Sequence, residues 1–70
     1  MVRIYHQTDA NKETWILEGK KREKLWSSLG WNWLPGYKRP GAWITKSSEI
    51  VSSTLRHLEV FHVESEIIDN

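Results

Sequence analysis

Lys20, Lys21, Lys24, Trp31, Tyr37, Lys38, Arg39 and Lys46 carry the chemistry that this 70-residue chain most directly offers. Lys and Arg neutralise phosphates, and Trp or Tyr rings can stack on unpaired bases whatever the base. The stretch from Lys20 to Trp43 holds four of the five Trp, and with Lys46 seven of the ten basic residues. The formal net charge of +1 hides a division along the chain. From Gly19 to Lys46 seven Lys/Arg stand against one acid, Glu23, a balance of +6; from His57 to Asn70 four acids and no Lys/Arg give −4. One basic and one acidic surface are expected.

Other chemistries find less material. The chain has no cysteine, so neither a disulfide framework nor a thiolate metal site can form, and His6, His57 and His62 lack the paired spacing of a structural zinc site. Each histidine can titrate near neutrality, and Glu18 or Glu49 could act as an acid. No Ser-His-Asp, carboxylate-pair or Gly-rich phosphate signature accompanies them, so neither catalysis nor a cofactor is expected. No apolar run approaches the roughly 20 residues of a membrane span, and Met1 to His6 has no signal-peptide core. The expectation is a soluble intracellular protein with no membrane partner.

These residues must be held by a small scaffold, because seventy residues bury little and every Trp counts. Val2 to Gln7 alternates like a strand, Thr8 to Lys12 has turn chemistry, and Glu13 to Glu18 reads as a second strand ended by Gly19. From Lys20 to Leu29 the period becomes helical, with Leu25, Trp26 and Leu29 in one arc. Arg22 falls inside that arc too, where its stem could lie along the core edge with its guanidinium in water, and Lys20, Lys21 and Lys24 lie opposite. Gly30 suits the left-handed residue that ends a helix. Trp31 to Leu34 and Ala42 to Thr45 read as short strands around the loop Pro35 to Gly41, which displays Tyr37, Lys38 and Arg39. Ser47 caps a second helix whose stripe is Ile50, Val51, Thr54, Leu55 and Leu58. Val60 to Val63 is a further strand candidate for the edge of the first strand. The reading is a single α+β domain over 1–63, order β-β-α-β-β-α(-β), with a mainly antiparallel sheet and two helices on one face. Residues 64–70 are expected to form a frayed acidic tail, with Ile67 and Ile68 as a last anchor.

Lys24-Leu25-Trp26-Ser27-Ser28-Leu29-Gly30-Trp31-Asn32-Trp33, then Ala42-Trp43-Ile44-Thr45 and the helix Ser47 to Leu58, resembles a small Trp-containing module. That module occurs at the N-termini of some superfamily 2 and SNF2-like helicases and as the HARP-type domain of annealing helicases. The match runs from near Trp15 to Leu58. It implies an accessory DNA-binding or substrate-positioning element attached to a motor. It also implies that Leu29 and Gly30 close the helix, that Trp33 and Trp43 are paired framework rings, and that Leu55 and Leu58 pack behind them. Trp26 stands where the pattern has a basic residue, Trp31 is an extra ring, and the loop is about three residues longer.

Two functions are therefore weighed. The first is sequence-tolerant binding of nucleic acid, DNA ahead of RNA and single-stranded or branched DNA ahead of duplex, in association with a helicase or other replication or repair protein. Trp15, Trp26, Trp33 and Trp43 would serve the core, and Trp31 and Tyr37 would be the exposed stacking rings. The second is a protein-interaction module, such as a small viral or mobile-element protein, using Trp/Tyr surface and the acidic tail. Rings among cations favour the first reading, and an apolar patch without cations favours the second.

Overall fold

The computed structural model describes residues 1–19, 22–35 and 41–69. The N-terminal alternation closes into a hairpin in which β1 (Val2–Asp9) and β2 (Lys12–Glu18) pair antiparallel from Arg3↔Glu18 to Asp9↔Lys12. Only Ala10 and Asn11 separate the strands, and both have positive φ, 44° and 67°, the hand that matches a two-residue turn to the strand twist.

α1 (Glu23–Ser28) starts later than the periodicity from Lys20 predicts. Arg22 is its N-cap residue, with extended backbone, and is exposed instead of lying along the core edge, because helical phase does not apply outside the helix. The far end is as expected. Gly30 takes φ 93°, its amide donates to the Ser27 carbonyl at 3.1 Å, and the Trp31 amide donates to the Trp26 carbonyl at 3.2 Å. These are the two bonds of a Schellman motif.

β3 (Asn32–Trp33) pairs antiparallel with β4 (Trp43–Thr45), which in turn adds to β2 through Trp15↔Thr45 and Leu17↔Trp43. α2 (Ser48–Val60) is capped by Ser47, whose Oγ accepts from the Ile50 amide at 3.3 Å. Beyond it the chain departs from the expected strand. Val60 to Val63 is not a strand: Val60 ends α2, and His62 takes φ 54° at the left-handed position after it. The His62 amide donates to the Glu59 carbonyl at 3.1 Å and the Val63 amide to that of Leu58 at 2.8 Å, a second Schellman motif built without glycine. The strand is β5 (Ser65–Asp69), in the segment expected to fray, and it runs parallel to β1 from Val2↔Ser65 to His6↔Asp69.

The sheet order is β3-β4-β2-β1-β5, antiparallel except for β1 with β5. The fold is thus α+β with two helices, in the predicted order. β4, β1 and β5 point one way and β2 and β3 the other, so α1 and α2 each cross between parallel strands. Strand alternation sorts the core. Val2, Ile4, Leu17 and Trp43 meet Trp26, Trp31, Val51 and Leu58, while the opposite face carries Tyr5, Ile16 and Ala42 with Ile44 and Ile68 against them. Among the described residues no helix is long and apolar enough to cross a membrane.

Candidate nucleic-acid interface

α1 presents Glu23, Lys24, Ser27 and Ser28 along one wall of an open groove of about 470 Å³, and Trp43 forms its floor. The sheet sets a second ring against this Trp43. Trp33 lies directly opposite Trp43 in the β3–β4 register, so the two side chains share a face, with ring centroids 5.2 Å apart and planes at 67°. Trp43 is 6% exposed and Trp33 41%. The edge-on contact holds the Trp33 ring while leaving part of its surface to solvent. Lys24 is exposed and makes no ion pair with any described residue. The Ser28 hydroxyl donates to the Leu25 carbonyl at 2.7 Å and keeps acceptor capacity, and the exposed Ser27 hydroxyl has no hydrogen bond among the described residues. Glu23 contributes one negative charge to the same wall.

The ring expected to be free is not. Trp31 is 2% exposed, and its indole N–H donates to Thr54 Oγ1 at 2.7 Å. Trp31 and Trp33 were expected to lie in one strand, but the strand starts at Asn32. Trp31 belongs to the α1 Schellman turn, which aims it at α2. Trp33, expected in the core, takes the exposed position because β3 is the edge strand and nothing described lies beyond it. Trp26 is buried as expected, and Trp15 is half-buried.

The register also separates residues that the sequence grouped. Lys46 is exposed just after Thr45, at the sheet level of Trp15 and His6, whereas α1 begins after Glu18, which pairs with Arg3 at the opposite end. Lys24 and Lys46 thus flank different ends of the sheet. Lys20, Lys21, Tyr37, Lys38 and Arg39 lie outside the described residues. A second polar cluster escaped sequence reading. His6, Glu13 and Asp69 come together from three strands, with Nε2 2.8 Å from Glu13 Oε1 and Nδ1 3.4 Å from Asp69 Oδ1. The two-residue turn is the signal that would have found half of it, since it sets His6 opposite Trp15 and Thr8 opposite Glu13. No group of three or more His, Asp or Glu among the described residues could hold a metal ion.

No protein-family model, curated protein or solved structure matches the chain.

Proposed function

We propose that the chain is an accessory nucleic-acid-binding module that holds single-stranded or branched DNA with little regard to sequence, beside a helicase or other replication or repair protein that performs the chemistry. The observation that carries this reading is the half-exposed Trp33 ring set against Trp43, the ring that lines a groove together with Lys24, which makes no ion pair among the described residues. A base from an unpaired strand would stack on Trp33, and its phosphate would reach Lys24 and the Ser27 hydroxyl. Lys20, Lys21, Tyr37, Lys38 and Arg39 would extend the contact from the flanking segments. The resemblance to the HARP-type module points to the same kind of partner.

Fluorescence anisotropy with a short oligothymidylate and a matched duplex, each at two salt concentrations, tests it. Trp33→Ala is expected to weaken single-strand binding by about 1–3 kcal/mol and duplex binding much less. Lys24→Gln is expected to weaken both and to make the salt slope shallower by about 0.7 on the single strand. Absence of binding at low salt, or binding indifferent to Lys38/Arg39→Ala and to both of these variants, would refute it.

The competing protein-interaction reading rests on β5. It is an edge strand with Ile67 half exposed and Glu66 and Asp69 on the surface, a surface that could accept a partner's strand. A partner that binds through it would be unaffected by Trp33→Ala.

A further inference from the structure

We infer that His6 is a proton-dependent latch on β5, gripping the edge strand when the imidazole is charged and loosening it when neutral. The inference is independent of the nucleic-acid reading. β5 has little else to hold it. Of its five residues only Ile68 is half-buried, and the Arg3–Glu66 pair, at 3.9 Å between half-exposed side chains, is the other ion pair to β1 among the described residues. The backbone ladder with β1 adds to these.

The latch follows from counting protons. Ionised Glu13 and Asp69 can only accept hydrogen bonds, and they approach different nitrogens of one ring, at 2.8 Å and 3.4 Å. Imidazolium has two N–H donors and serves both. Neutral imidazole has one, and the closer partner, Glu13 on β2, takes it at Nε2. Nδ1 then turns a lone pair toward the Asp69 carboxylate, so the contact to β5 changes from attraction to repulsion while that to β2 persists. The ring cannot readily turn to escape, because it stacks on Trp15 at 4.0 Å and 14° between planes. Thr8 Oγ1 lies 3.5 Å from Nε2. Glu13 from β2 and Asp69 from β5 are the charged groups that face the ring, and neither helix sends it a hydrogen bond or ion pair among the described residues.

Amide hydrogen exchange followed by NMR on the full chain at pH 5.5 and 8.0, corrected for intrinsic rates, tests the latch. The β5 amides bonded to β1 are expected to lose protection about threefold at the higher pH relative to the β1–β2 amides, the scale of an exposed ion pair. Asp69→Asn, at a side chain 85% exposed, should fold normally and abolish the difference. Glu13→Gln should shrink it, because the neutral ring is then free to donate to Asp69. Equal β5 protection at both pH values in the unaltered chain, or an undiminished loss in Asp69→Asn, would overturn the proposal.

Discussion

Thr54 shows how one hydroxyl can settle two problems. It is fully buried inside α2, donates to the Ile50 carbonyl at 2.8 Å, and accepts the Trp31 indole N–H at 2.7 Å. Thr54→Val keeps the shape and the β-branch but strands the Trp31 N–H in a dry core, so a loss of about 1–3 kcal/mol is expected by chemical denaturation. Thr54→Ser, which keeps the oxygen, should recover much of it. The indole Nε1 of Trp15, in contrast, is buried without a hydrogen-bond partner among the described residues, and that ring is held by stacking on His6. Burial of Trp26 and Trp43 was legible because helical phase and the strand pattern place them against the core. The roles of Trp31 and Trp33 were exchanged in the sequence reading because they depend on where β3 begins, and composition carries no trace of that boundary.

Among the elements, α1 and the end of α2 use the same Schellman geometry with different residues. Gly30 was legible because glycine adopts φ 93° without strain, and a Cβ there would meet Ile50 Cδ1 at 3.0 Å. His62 hid the second motif: Val60-Phe61-His62-Val63 has strand composition, and a histidine at φ 54° does not announce a helix end. His62→Gly is therefore expected to stabilise the chain by about 1 kcal/mol, since the left-handed backbone strains any residue with a Cβ. For a domain of this size that raises the thermal midpoint by about 4–8 °C. Misreading this turn also displaced β5. A segment rich in acids after an assumed strand reads as a tail, although β5 sends Ile67 to the face of Ile4 and Ile68 to the face of Tyr5.

For the whole molecule, the helical crossovers place α1 and Lys46 near different ends of the sheet, which the linear clustering of charge could not reveal. On the proposed reading, Lys46→Gln should leave the salt slope of binding nearly unchanged, whereas Lys24→Gln makes it shallower by about 0.7. Anisotropy titrations at several salt concentrations separate the two, and equal effects would mean that the strand runs the length of the sheet. The fold class was readable because every element except β5 announced its period, and the β1 edge was correctly expected to take a further strand. The join between β1 and β5 has a cost in time. His6 and Asp69 are 63 residues apart in sequence, so at ordinary rates of translation β1 leaves the ribosome about 3–13 s before its outer neighbour exists. During that interval the nascent hairpin offers an open edge to any extended chain nearby.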